Sequence, residues 1–277
     1  MVPIACLLRF IEEDAPNGDI TSEVVIPDVD CHAVIRAEDT GIVAGLTEAR
    51  ALFSHFSVRV IPDMTDGDTA RPGDILLSLD GNAKKILLVE RTALNIIGRM
   101  SGIATRTRDL SDRVASINPK CRVAATRKTC PGFGALDKKA VHIGGGDPHR
   151  ANLSDGFLIK DNHVAIVPLE EAIRRAQAYS AYKKIEIEVE SGGDAVRAAR
   201  AGADIIMLDN MTPAQVTDTL LLLKNAGLRD CVTIEVSGGI DERTLAGYAA
   251  TGADIISMGS LTNSVTNFSV SLETTLP

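Results

Sequence analysis

The chain has 277 residues, 45% of them hydrophobic, enough to bury a large core as one barrel or as a barrel with a small companion domain. Its 29 basic and 37 acidic side chains leave a net charge of −8, which excludes a broad electrostatic attraction to nucleic acid or to an anionic membrane, so an anionic ligand would need a local cluster of cations. Five cysteines without regular spacing (Cys6, Cys31, Cys121, Cys130, Cys231) make neither a disulfide nor a zinc framework, and no leader-like or membrane-spanning apolar run is present, so the chain reads as soluble, unprocessed and cytoplasmic.

The first hundred residues read as a small, partly antiparallel α+β domain. Alternating runs at 33–37 and 75–79 are separated by turns at Asp66-Gly67, Pro72-Gly73 and Asp80-Gly81. A helix is expected from about Ala83 to Met100, ending at Ser101-Gly102, and the domain boundary is placed there. The first domain is then 1–103, with the C-terminal tail 265–277 expected to pack on it, and 104–264 form the second. His32 and His55 lack a partner motif and read as structural; His142 and His163 are left open.

The second half repeats a short apolar run, a turn and a helix-period segment, the signature of parallel strands joined by helices. Strands are expected at 122–125, 156–159, 184–189, 204–208, 232–236 and 254–258, apolar because both faces are buried. Thr212-Pro213 and Asp241 read as helix starts and Gly227 as a helix stop. The sequence ARAGADII at 199–206 returns fifty residues later as AATGADII at 249–256. That spacing is two βα units of about 25 residues, the unit length of an eight-unit barrel of about 250.

Barrel enzymes hold their catalytic groups at the carboxyl ends of the strands. Here those ends carry Thr126, Arg127 and Lys128, then Lys160, Asp161 and Asn162, then Glu188 and Glu190, then Asp209 and Asn210; the last two strands run into Ser237-Gly238-Gly239 and Gly259-Ser260. Cations bind carboxylate or phosphate, carboxylates face Mg²⁺ or a ribosyl cation, and small residues before a helix let backbone N–H groups close on a phosphate. Any one of these features alone fits a solvated surface, a half-buried ion pair or a plain turn; four consecutive strand ends with ionisable groups on one rim do not. The rim suits glycosyl transfer from a phosphorylated sugar. Two other classes fit parts of it: a barrel aldolase or isomerase using Lys160 as a Schiff base, and a non-catalytic phosphate-ligand binding protein, which would gain nothing from Glu188 and Asp209.

The stretch TRKTCPGFGALDKKAVHIGGGDPHRANLSDGFLIKDNH at 126–163 resembles the signature of quinolinate phosphoribosyltransferases. The likeness extends to GDIT at 18–21, ERTALN at 90–95, SGIAT at 101–105, EVE at 188–190, DIIMLDN at 204–210 and SGGI at 237–240. The resemblance implies a small open sandwich followed by an incomplete α/β barrel, and transfer of phosphoribose from phosphoribosyl pyrophosphate to quinolinate with loss of CO₂. It implies a pyridine-carboxylate pocket of Arg127, Lys128, His149, Arg150 and Lys160, with Arg91 entering from the neighbouring subunit of a homodimer. It further implies that Glu188 and Asp209 serve the ribose and magnesium pyrophosphate, that Lys128 and Lys160 stabilise charge on the ring, and that Ser237, Gly238, Gly239 and Gly259 surround the 5-phosphate. Gly134, Lys139 and Pro148 depart from the family pattern, which has an arginine, an aromatic and an asparagine there. Loss of a cation near the pocket leaves nicotinate, a monocarboxylate, as the alternative substrate.

Overall fold

The computed structural model describes residues 2–275, which fall into two compact units: 2–108, 131–145 and 264–275 form one, and 109–130 with 146–263 the other. In the first unit five strands follow one another: β1 (Asp30–Ala37), β2 (Gly41–Ile42), β3 (Arg59–Pro62), β4 (Thr69–Ala70) and β5 (Ile75–Asn82). The chain's last strand, Val270–Thr275, joins β1, β5 and β3 in that order in one antiparallel sheet, while β2 and β4 pair separately. Every second residue of β1 from Cys31 to Ala37 is buried, as a strand with one covered face requires.

Gly67 and Gly73 take the positive φ of turns (102° and 93°). Asp80-Gly81, read as a third turn, lies instead inside β5, where Asp80 Oδ1 stands 2.9 Å from His32 Nδ1. Position 81 is glycine because a Cβ there would come 3.3 Å from Val58 Cα.

The helix after β5 also departs from its reading: Ala83–Ile117 is continuous through Ser101-Gly102. Those small residues serve close approach. A Cβ at Gly102 would stand 2.1 Å from Thr266 O and one at Gly98 2.9 Å from Phe268 O, while Gly98 O accepts from Phe268 N–H at 2.9 Å. Ser101 is fully buried, its Oγ accepting from Ala44 N–H and donating to Ala44 O. A boundary at 103 therefore falls within an unbroken helix. The helix Gly134–Ile143, read as part of the barrel, groups with the first unit. Arg99 donates through Nε and Nη2 to the fully buried Asp137 (2.8 and 2.9 Å), and Lys139 Nζ donates to Glu48 and Asp66. Removing one member of such a pair leaves a buried charge and costs about 3–5 kcal/mol.

The second unit contains all six expected strands: β6 (Arg122–Ala124), β7 (Phe157–Ile159), β8 (Ile185–Val189), β9 (Ile205–Asp209), β10 (Thr233–Ser237) and β11 (Ile255–Ser257). They form one parallel sheet in the order β6-β11-β10-β9-β8-β7, extended past β6 by a bridge from Ala124 to Asp147. The fold is α/β, an incomplete barrel preceded in the chain by a small open-sandwich α+β domain.

The strands are not apolar on both faces, as the sequence reading had them. Ile187, Ile206, Leu208, Ile234, Val236 and Ile256 join a core with helix residues such as Ile173, Val216 and Leu223. The alternate positions carry Glu186, Glu188, Asp209, Glu235, Ser237 and Ser257. Each fully buried aliphatic contributes about 1.5–3 kcal/mol, so the helix-facing side stabilises the sheet and leaves the inner face for polar groups.

Both copies of the internal repeat do the same work. Gly202 and Gly252 follow helices at φ 90° and 92°, and the Asp two residues on fixes the start of the neighbouring strand. Asp204 accepts from Ile185 N–H (2.8 Å) and Asp254 from Ile234 N–H (2.7 Å). Thr212 and Gln215 cap the helix Pro213–Asn225 reciprocally. Asp241 caps only a turn, through Arg243 and Thr244 N–H, and the helix begins at Leu245.

No helix among the described residues is long and apolar enough to cross a membrane. No disulfide joins the five cysteines. Burial raises the Cys31 thiol and pushes Cys121 up to about 12, whereas Cys6, Cys130 and Cys231 are exposed. A thiol reagent at neutral pH should therefore label the exposed three in the native protein and the other two only after unfolding. Peptide mass mapping reads this directly, and rapid native labelling of Cys121 would contradict it.

Candidate active site

A cavity of about 440 Å³ opens at the carboxyl ends of the strands in the second unit. Arg127, Lys128, His149, Arg150, Lys160, Glu188 and Asp209 all line it, together with Ser237, Gly238 and Gly239. Two residues named from the resemblance do not. Gly259 is absent from the lining, and a Cβ there would come 2.9 Å from Lys128 Cδ. Arg91 is exposed on Ala83–Ile117 and makes no hydrogen bond or ion pair among the described residues. Glu190 is exposed beyond the end of β8 and is absent from the lining.

The cations are held by their backbones and left with spare donors. Lys128 N–H donates to Thr126 Oγ1 (3.1 Å), and Lys128 O accepts from Thr262 Oγ1 (2.9 Å). Arg150 Nη1 donates to Gly156 O (3.1 Å), but its Nε is buried without a partner. Burial, and then the neighbouring Arg127, works against the charge on Arg150. Two guanidinium groups kept close with unsatisfied donors are arranged for an anion, carboxylate above all.

Facing them are the carboxylates. Lys160 Nζ lies 2.6 Å from Glu188 Oε2, and Lys160 N–H donates to His163 Nδ1 (2.9 Å), so the open question about His163 resolves to anchoring Lys160. Burial, then the charge of Glu188, raises the Asp209 carboxyl. Asn210 takes a left-handed φ of 54° and donates through Nδ2 to Asp209. Gly238 and Gly239 take φ of 96° and 62°. A Cβ on Gly238 would strike Asn210 Oδ1 at 2.3 Å, which explains glycine there, while Gly239 faces open space.

Sequence reasoning missed the acids around His149, of which Glu235 lines this cavity and Glu186 a second one. Glu186 and Glu235, 4% and 1% exposed, approach His149 Nε2 at 3.3 and 3.4 Å, and Ser257 Oγ donates to Glu235. The signal was present: an acid flanked on both sides by aliphatic residues within a short strand, Glu186 in IEIEV and Glu235 in TIEVS. Burial opposes charge on the His149 ring, while the bonds and charges of Glu186 and Glu235 draw a proton to the group they form with Nε2. The cluster thus attracts a proton. Nδ1 cannot receive it, because its lone pair accepts from Arg150 N–H at 2.7 Å. Burial also raises Glu186, whose Oε1 has no partner and is the oxygen with room for a proton. These three side chains bring ligand atoms within 4.8 Å of one another. A metal on Nε2 would nevertheless require a proton on Nδ1 donating outward, and Nδ1 accepts.

Comparison with known proteins agrees over the whole chain. The model of the quinolinate phosphoribosyl transferase C-terminal domain matches residues 103–273, and that of the N-terminal domain residues 19–101. A Methanothermobacter thermautotrophicus protein named "Probable nicotinate-nucleotide pyrophosphorylase (carboxylating)" is 47% identical, over 96% of this chain and 96% of its own length. The rat nicotinate-nucleotide pyrophosphorylase (carboxylating) is 34% identical, over 95% and 88%. The solved nicotinate-nucleotide pyrophosphorylase of Francisella tularensis superposes with a TM-score of 0.90 at 32% identity, covering 99% of this chain and 98% of that one.

Proposed function

The chain belongs to the quinolinate phosphoribosyl transferase family, and from that premise we propose that it is a cytoplasmic homodimer making nicotinate mononucleotide, CO₂ and pyrophosphate from quinolinate and phosphoribosyl pyrophosphate. The observation that carries this reading is one cavity with Arg127, Lys128 and Arg150 offering free donors on one side and Glu188 with Asp209 on the other. The pyridine carboxylates take the cations, which also stabilise negative charge left on the ring as CO₂ departs. Glu188 and Asp209 favour the positive ribose formed as pyrophosphate leaves. Gly238 and Gly239, bare of side chains, admit the 5-phosphate to the backbone.

The oxygens of Glu188 and Asp209 are the hard donors that Mg²⁺ takes, and a cation there would relieve the repulsion that raises Asp209. When bound with pyrophosphate, Mg²⁺ supplies neutralisation of the leaving group's charge. Arg91, which is exposed and makes no hydrogen bond or ion pair among the described residues, completes the pyridine pocket of the partner subunit in this reading.

The test offers quinolinate and nicotinate separately, each with phosphoribosyl pyrophosphate and Mg²⁺, and follows nicotinate mononucleotide and CO₂. Quinolinate should be consumed with one CO₂ released per nucleotide formed. Robust turnover of nicotinate with none of quinolinate would replace the substrate while leaving the transfer chemistry in place.

A further inference from the structure

His149 is placed in the pyridine pocket by resemblance, yet both of its ring nitrogens are engaged by the protein. Nδ1 accepts from Arg150 N–H at 2.7 Å, and Nε2 faces Glu186 and Glu235. Its own N–H donates to Asp147 Oδ1 at 2.9 Å, and its φ is +56°, a left-handed conformation uncommon outside glycine in which asparagine, aspartate and histidine are enriched. The turn leading into Arg150 is thus tied by the imidazole, and the imidazole is tied by two acids from different strands. Stability does not account for those acids, because an apolar pair of similar volume is often as stable or more so. The tie also lies between two spaces, with Glu186 facing only the second of them. His149, Arg150 and Glu235 line both the cavity described above and a second one, of about 360 Å³, reaching Lys184, Ile205 and Ile255 at the amino ends of the strands.

We propose that Glu235 and Glu186 are positioning residues for the pyridine-carboxylate subsite: they hold the His149 ring, which locks the Asp147–Arg150 turn and so sets where the Arg150 guanidinium meets the substrate. His149 then acts on Arg150 and not on the pyridine acid. The assignment rests on the functional reading above for the identity of the anion. The geometry of the tie itself does not depend on it.

The consequence is selective. Glu235→Gln keeps size and an acceptor but removes the charge that orients the ring, and a shift of about 1 Å in a positioning group can cost about 10²-fold. The KM for quinolinate should rise at least tenfold, while the KM for phosphoribosyl pyrophosphate, served by the Asp209 and Gly238 side of the cavity, changes little. His149→Asn retains an oxygen able to accept from Arg150 N–H and tolerates the left-handed backbone, but cannot reach the acids. It should bind quinolinate better than His149→Ala, and adding Glu235→Gln to it should have no further effect on the quinolinate KM.

The spectroscopic arm needs no substrate. In ¹⁵N NMR of the intact chain, His149 should have Nε2 protonated and Nδ1 bare, and this pattern should be lost or broadened in Glu235→Gln. An Nδ1-protonated ring in the unaltered chain would overturn the inference, as would equal changes in both KM values or an undiminished Glu235→Gln effect in the His149→Asn background. A chain that binds quinolinate normally with Glu235→Gln in place overturns this inference alone. A chain that binds no pyridine carboxylate even unaltered overturns the functional reading, and the subsite assignment with it.

Discussion

Asp209→Asn and Glu188→Gln should each lower kcat by about 10² or more, the scale on which removal of one preorganised electrostatic group is felt, while the fold is retained. The stability side of this result is the informative half. Burial and the neighbouring Glu188 raise the Asp209 carboxyl, so its ionised form is disfavoured in the folded chain, and that penalty is full at pH above the raised value, fades as pH falls toward the ordinary carboxylate value and is gone below it. Asn at 209 removes the penalty, and Tm at neutral pH should stay level or rise as turnover falls. Glu188→Gln deprives Lys160 of its partner at 2.6 Å, but the Lys160 side chain is 45% exposed and rehydrates, at a cost of about 0–1 kcal/mol. Kinetics and thermal melts on the same preparations decide the matter. Near-normal turnover in both variants would reduce the two carboxylates to ion-pair partners of the rim.

The barrel was legible in the sequence because each strand is a short apolar run bounded by a turn glycine and a helix cap, all local signals. The rim was legible for the same reason: ionisable residues late in such a run or within three residues after it mark a strand's carboxyl end, and Arg127, Lys160, Glu188 and Asp209 all stand there. What failed was non-local. Ser101-Gly102 carries the composition of a helix stop, and only the passage of Thr266 directly against Gly102 reveals it as a packing position. The helix Gly134–Ile143 follows a barrel strand in sequence and reads as a barrel helix. Its partners Arg99, Glu48 and Asp66 lie 38, 91 and 73 residues away from the residues they hold.

Glu186 and Glu235 escaped for a different reason. Glu186 shares a strand face with Glu188 but sits two residues deeper, and the local pattern that marks it as buried does not tell which groups it meets there. At Lys139 a lysine stands where the family pattern has an aromatic, and its Nζ donates to Glu48 and Asp66 within the first unit.

Arg91→Ala should abolish useful quinolinate binding, weakening it by about 2–5 kcal/mol if a desolvated charge pair is truncated, with little effect on Tm because the side chain is exposed and makes no hydrogen bond or ion pair among the described residues. The loss alone would not say whose pocket Arg91 serves. Mixing does. A Lys128→Ala chain is disabled in its own cavity but still carries Arg91, and an Arg91→Ala chain has an intact cavity without it. If the arginine crosses a two-fold interface, each mixed dimer holds one pocket with both defects and one with neither, so two inactive proteins regain activity in proportion to the mixed dimers formed. If Arg91 acts within its own chain, every pocket in the mixture carries one defect and activity stays absent. Co-expression with two different affinity tags isolates the mixed dimers: their failure to turn over quinolinate would refute the shared site, and failure to recover any doubly tagged species would refute the dimer.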